Sequence, residues 1–202
     1  MKRLFSILAG ALLGACGGNV QTSEMQRYDL GALAAARAGA GSAIPIGAVE
    51  VQAASWLSGP EMYFRLVYAD PLQRRAYAES RWAAPPAELL ETFLKRRLVF
   101  GQPDFGGAGC RLQLVLDEVE QRFDDPPKSQ VVLEVRALLT ASRGAEMLAR
   151  RAFMIRQPAP SPSAAGGAAA TRDAVQALAG ELGGWLDEIG RAKPAIVERC
   201  RT

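Results

Sequence analysis

The stretch RLQLVLDEVEQRFDDPPKSQVVLEVRALL, residues 111–139, decides the fold class of this chain. Apolar and polar side chains alternate through most of it with a period of two, the pattern of a β-strand with one buried face. The segment DDPP at 124–127 interrupts the alternation and is typical of a turn. A second turn at 142–144 and another alternating segment at 146–156 complete a predicted antiparallel meander of three strands.

Shorter strands and two helices surround the meander in the prediction. Aromatic and β-branched residues indicate strands at 26–33, 48–57, 62–68 and 74–82. After Pro85-Pro86 the apolar residues recur every three or four positions, which predicts an amphipathic helix that ends near Gly101. The stretch 157–170, rich in Pro, Ala, Gly and Ser, is predicted to be a flexible linker. A last helix is predicted over 173–190, with Trp185 on its apolar stripe and therefore in the core.

The N-terminus has the features of a secretory signal peptide. Lys2 and Arg3 precede the short apolar stretch LFSILAGALL. A membrane-spanning helix needs about 20 apolar residues, so this stretch is too short to span a bilayer. The residues LGAC at 13–16 resemble the bacterial lipobox, in which the signal is cut just before a cysteine that carries a diacylglyceryl group.

The lipobox divides the chain into three parts. We predict a signal peptide at 1–15, a lipid-anchored tether at 16–24 that begins with the lipidated Cys16, and one domain at 25–202. Glycine rather than aspartate at position 17 favours transfer to the outer membrane. The domain is then expected to face the periplasm, held to the membrane through its acyl chains.

Two cysteines remain once Cys16 is assigned to the anchor. In an oxidising compartment an even pair favours a disulfide, and we predict a bridge between Cys110 and Cys200. Two separate buried thiols are the alternative that the sequence leaves open. The expected role of the bridge is structural.

Composition and motifs exclude several classes of function. The chain has no histidine, which removes Ser-His-Asp and Cys-His catalytic sites and the commonest metal ligand. It has no P-loop and no dinucleotide-binding glycine motif. The net charge of +3 falls when the basic signal is removed, so a basic surface for nucleic acid is not expected. The acidic residues at 117–120 lie on a strand, and those at 124–125 lack the ligand spacing of a calcium loop. We therefore expect no enzyme activity, no metal and no cofactor.

Three parts of the chain resemble a known family when taken in order. They are residues 63–98, residues 112–139 and the pair Ala152-Phe153. The shared features are a strand that ends in Arg81-Trp82, a helix that starts at the proline pair, and a strand with Glu, Gln, Phe and Asp at its end. Together with the lipobox, they resemble the ABC-type transport auxiliary lipoproteins, the group that includes the paraquat-inducible lipoprotein.

The resemblance implies a fold and a role. The fold is an α/β (α+β) domain, a mixed and largely antiparallel sheet with flanking helices, similar to the N-terminal domain of TolB. The role is non-enzymatic, beside an ABC permease, its ATPase and a mammalian-cell-entry (MCE) domain protein that bridges the periplasm. The resemblance implies a system that moves phospholipids or other hydrophobic molecules between the membranes. The family supplies no ligand residues to carry over.

Two functions remain open from the sequence. An accessory protein that docks an MCE-type partner needs an exposed polar and aromatic surface and no internal void. A periplasmic carrier that holds an acyl chain needs a deep apolar pocket of a few hundred Å³. Trp56 and Trp82 end strands, where side chains can emerge at the rim of the sheet, and interface anchors are disproportionately Trp, Tyr and Arg. Arg81 and Trp82 are therefore the candidate partner-binding residues, with a structural role as the alternative for both and for Tyr77.

Overall fold

The structure is a computed structural model that describes residues 24–32, 44–99, 109–141 and 146–201. Its strands are β1 (Gln26–Tyr28), β2 (Ile46–Ala53), β3 (Glu61–Leu66), β4 (Arg74–Trp82), β5 (Cys110–Asp125), β6 (Lys128–Thr140) and β7 (Met147–Pro158). Its helices are α1 (Pro86–Leu94), α2 (Ala164–Ala192) and α3 (Pro194–Arg201). A short 3-10 helix, Ser55–Leu57, follows β2, and a π-helical turn, Lys95–Val99, extends α1.

Strand β5 organises the sheet because both of its edges are used. One edge pairs antiparallel with β6, which pairs antiparallel with β7. The other edge is divided between two strands: β2 runs parallel to the first half of β5, and β3 runs parallel to its end. Strand β4 then pairs antiparallel with β3, and β1 pairs parallel with β4. The sheet is mixed and its long pairings are antiparallel, which confirms the predicted α+β fold class.

The helices cover one face of this sheet. The apolar side chains that alternate along β5 and β6 form a single core with buried residues of α1 and α2. Trp185 lies in this core, where its ring meets Phe153 of β7 edge to face, with ring centroids 5.9 Å apart. The prediction that Trp185 is a core residue is therefore confirmed, and the periodicity of α2 directs its apolar stripe onto the sheet.

The predicted linker at 157–170 is wrong. Strand β7 continues to Pro158, and α2 already begins at Ala164. Ser163 caps the helix, since its hydroxyl accepts a hydrogen bond of 3.2 Å from the backbone N–H of Gly166. Alanine has the highest helix propensity, and its small size lets the first turns of α2 pack closely on the sheet. A composition that is typical of linkers here forms a buried helical segment.

A buried polar network lies on the sheet directly beneath the start of α2. The side-chain amide of Gln121 donates to the Ser129 hydroxyl at 2.8 Å, and its oxygen accepts the Tyr77 hydroxyl at 2.8 Å. Burial raises the pKa of Tyr77 to about 12, so this phenol stays a neutral donor. A Cβ at Gly167 would stand 2.3 Å from the same amide oxygen, so a larger residue there would displace the Gln121 side chain from this network. These contacts give the Tyr77 side chain a structural role in the sheet.

The predicted disulfide joins the C-terminal end of the domain to its central strand. Cys110 opens β5 and Cys200 lies in α3, and the structure links them with a Cα separation of 4.7 Å. Both cysteines are fully buried. The bridge therefore attaches the C-terminal helix to the central strand.

Several expectations concern residues outside the described ranges. The signal peptide, the lipidation site Cys16 and all of the tether except Glu24 lie there. The predicted first strand, 26–33, is shorter in the structure and ends at Tyr28. No helix among the described residues is both long enough and apolar enough to cross a bilayer.

Candidate docking surface

The face of the sheet opposite the helices carries exposed and half-buried side chains. Cross-strand register places them in two rows, because residues directly opposite in paired strands share a face. One row is Glu50, Gln113, Leu138 and Arg150, and the next is Gln52, Val115, Arg136 and Ala152. We call the surface formed by these eight residues the open face.

A groove of about 610 Å³ lies on the open face. Val115 and Leu138, both half-buried, provide apolar surface within it, and Met147 adds a flexible apolar side chain that is 55% exposed. Charged side chains of β2, β6 and β7 surround this apolar part. The groove is open to solvent, so it presents a mixed surface rather than an enclosed cavity.

The charges around the groove are only partly paired. Arg136 donates two hydrogen bonds to the carboxylate of Asp117, at 2.6 and 2.7 Å, and this contact raises the pKa of Arg136. Glu50 lies 3.6 Å from the Arg111 guanidinium. Arg150 is exposed and forms no ion pair with a side chain in the described part of the chain. It is therefore available to an acidic group of a partner.

A cluster of arginines and glutamates continues the same face toward β3 and β4. Its centre is the carboxylate of Glu120, which is almost fully buried. The guanidinium of Arg65 lies 2.9 Å away, that of Arg74 3.6 Å and that of Arg122 3.8 Å. The hydrogen bond to Glu120 raises the pKa of Arg65. These three cations compensate the buried charge, which would otherwise be costly.

Glu118 is the second acid of this cluster, and Arg74 also binds it. Burial, followed by repulsion from Glu120, raises the pKa of Glu118 and outweighs the attraction of Arg74. The guanidinium of Arg74 also lies 5.9 Å from the ring of Trp56. Trp56 is 54% exposed, so an aromatic ring and an arginine stand together beside the open face.

The expectation that Trp82 emerges at the rim of the sheet is wrong. Its side chain is only 4% exposed and packs with Met62, Ala164 and Ala168. The reason is that β1 pairs along β4 at this position, with Tyr28 opposite Trp82, while the start of α2 packs against it. The open face therefore does not include Trp82.

Arg81 is half-buried and directed at the backbone of its own strand. Its guanidinium donates to the carbonyl of Ser80 at 2.9 Å and to that of Tyr77. These contacts give Arg81 a role in β4, and a contact between Arg81 and a partner stays a prediction. No group of three metal-ligating side chains occurs within the described ranges.

Sequence reasoning did not identify the open face, although the sequence contains one indication of it. Val115 and Leu138 are apolar residues at positions whose neighbours in the alternation, such as Gln113 and Arg136, are polar. Apolar side chains in the polar phase of two adjacent strands indicate a surface that contacts something other than water. Only the register of the strands shows that the two side chains belong to one groove.

Comparison with known proteins adds the family context. The family model described as ABC-type transport auxiliary lipoprotein component matches residues 28–183. Protein XCC0632 from Xanthomonas campestris shares 18% sequence identity, with a TM-score of 0.61 over 87% of this chain and 92% of that chain. A second crystal structure, of an uncharacterized protein, shares 17% identity, with a TM-score of 0.59 over 82% of this chain and 99% of that one. At this identity the two structures show a common fold. No curated protein matches significantly.

Proposed function

We propose a specific docking role from the premise that this chain belongs to the ABC-type transport auxiliary lipoprotein family. In this proposal it is a non-enzymatic accessory lipoprotein that docks an MCE-domain protein, which works with an ABC permease and its ATPase. Its lipid anchor at Cys16 holds it on the outer membrane, with the domain in the periplasm. The system moves phospholipids or other hydrophobic molecules between the two membranes.

The observation that carries the proposal is the open face with its neighbouring aromatic and arginine side chains. A docking surface needs exposed residues of the types that anchor interfaces, chiefly Trp, Tyr and Arg. Trp56 and Arg150 are exposed beside or within the groove, and Leu138 supplies apolar surface between the charged groups. This mixture of apolar centre and charged rim is typical of interfaces that form and separate.

The alternative, a carrier with an acyl chain inside the domain, has less support. Two hollows between the sheet and the helices, which Leu30, Trp82, Leu89 and Tyr77 help to line, measure about 20 and 10 Å³. Each is close to the space of a single water molecule. Ligand sites for molecules of lipid size are typically 300 Å³ or more and bury most of the ligand. The groove on the open face has this volume, and a hollow between residues 27–31 and the start of α2 approaches it at about 280 Å³, but both are open and would leave a bound chain exposed to water.

Two substitutions, at Trp56 beside the open face and at Arg150 on it, test the proposal. We expect Trp56→Ala and Arg150→Glu each to weaken binding of the MCE-domain protein about thirtyfold, the loss typical of an interface anchor. Affinity is measured by surface plasmon resonance with the purified partner. Arg191→Glu is the matched control, because it makes the same charge change at an exposed position of α2, in the helix layer.

Unchanged affinity in both surface variants, with a loss in Arg191→Glu, would move the docking site to the helices.

Mass spectrometry of lipids extracted from the purified protein tests the carrier alternative in parallel. Stoichiometric bound phospholipid would favour the carrier.

A further inference from the structure

The loop between β3 and β4, residues 67–73, holds two apolar side chains in solvent. Leu72 is 89% exposed and Tyr68 is 55% exposed. Both lie at one end of the sheet, beyond the last paired residues of β3 and β4. Neither side chain belongs to the open face, because both project from the end of the strands.

Hydrogen bonds hold this loop in one conformation. The backbone N–H groups of Ala69 and Asp70 donate to the carbonyl of Leu66, at 3.0 and 2.9 Å. The carboxylate of Asp70 accepts the N–H of Leu72 at 2.9 Å, and Arg65 donates to the carbonyl of Pro71 at 2.9 Å. The apolar tip is thus built outward by an ordered turn, and binding through it costs little further ordering.

The direction of β1 relates this tip to the proposed lipid anchor. β1 runs parallel to β4 with Gln26 opposite Ser80, so the chain enters the sheet from the end where the β3–β4 loop lies. Along β4, Ser80 lies about 20 Å from the first residue, Arg74, at roughly 3.3 Å per residue. The ten residues from Cys16 to Gln26 can extend to about 34 Å. The anchor and the loop tip can therefore reach the same membrane surface.

We infer that the tip of the β3–β4 loop is a second membrane contact, in which Leu72 and Tyr68 enter the lipid interface. The inference rests on the proposed anchoring of the chain at the membrane. Leucine suits the boundary of the acyl chains, and tyrosine places its ring in that boundary with its hydroxyl among the headgroups. The strands are then roughly parallel to the membrane normal. The open face is directed along the membrane plane, toward a partner that crosses the periplasm.

The contact is apolar rather than electrostatic. Asp70, Asp124 and Asp125 lie at this end of the sheet, together with the exposed cations Arg75 and Lys128. Three carboxylates beside two cations do not form a basic patch that would attract an anionic surface. Binding of the tip is therefore expected in neutral lipid and at high salt, where a basic patch would release.

The test places a polarity-sensitive fluorophore on the tip of the anchored protein. The mature chain from Gly17 carries an N-terminal polyhistidine tag and is held on phosphatidylcholine vesicles that contain a small fraction of nickel-chelating lipid. The chain has no histidine of its own, and Cys110 and Cys200 are joined, so Leu72→Cys is the single labelling site. Met147→Cys is the matched control, because Met147 is 55% exposed and lies at the opposite end of the sheet.

We expect anchoring to lower iodide quenching of the label at position 72 about threefold or more and to leave position 147 unchanged, as for a side chain inserted at the interface. The same protection should persist at high salt. Equal quenching at both positions on the anchored protein would overturn the inference. Protection at position 72 that appears only after the MCE-domain protein is added would overturn it too, in favour of a protein contact. Because the nickel lipid replaces the acyl anchor, a failure of lipidation at Cys16 gives a separate result.

Discussion

Replacing Cys110 and Cys200 together by alanine is expected to lower the free energy of unfolding by about 4–5 kcal/mol. The bridge spans a sequence separation of 90 residues, and a cross-link that closes so long a loop removes much of the entropy of the unfolded chain. For a domain of this size the change corresponds to a fall of roughly 10 °C or more in the thermal midpoint. Thermal unfolding followed by far-ultraviolet circular dichroism measures it.

Wild-type protein reduced with dithiothreitol is the control for this change. It loses the cross-link but keeps both sulfur atoms in the core, so the difference from the alanine variant isolates the small packing loss. If oxidised wild type and the double variant unfold at the same midpoint, the bridge does not stabilise the domain.

Trp82→Ala is expected to destabilise the domain by about 3–5 kcal/mol, the usual cost of removing a large buried aromatic side chain. Trp82 is buried between β4 and the start of α2, against Met62 and Ala168. Trp56→Ala is the matched comparison, since that ring is exposed and its contact with Arg74 is worth about 1 kcal/mol at most. Urea unfolding followed by circular dichroism gives both values without relying on tryptophan fluorescence.

The two variants should separate stability from binding. Trp82→Ala is expected to keep its affinity for the MCE-domain protein per folded molecule, whereas Trp56→Ala is expected to keep its stability and lose affinity. A Trp82→Ala variant that is as stable as wild type but no longer binds the partner would return Trp82 to the interface and contradict its assignment to the core.

Local pattern was sufficient to predict most of the elements. The period of two through β5 and β6 and the proline-led apolar spacing of α1 depend on neighbouring residues, and both were found close to the expected positions. The disulfide followed from counting the cysteines. In each case the decisive information lies within one segment of sequence or in its composition.

Long-range packing explains the errors. The Ala- and Gly-rich start of α2 has the composition of a linker, but its alanines favour a helix and its small residues, such as Gly167, pack closely on the sheet beside Gln121. Trp82 ends a strand, but β1 pairs beside it, a contact across more than fifty residues of sequence. The groove around Val115 and Leu138 depends on strand register, which no single segment contains.

The most direct test of the docking proposal is site-specific photocrosslinking in cells. A benzoylphenylalanine at Ala152 places the probe on the open face, and one at Gln176 places it on the exposed side of α2. We predict an adduct with the MCE-domain protein from position 152 and none from position 176. Adducts only from position 176, with both proteins equally abundant at the membrane, would contradict docking through the open face.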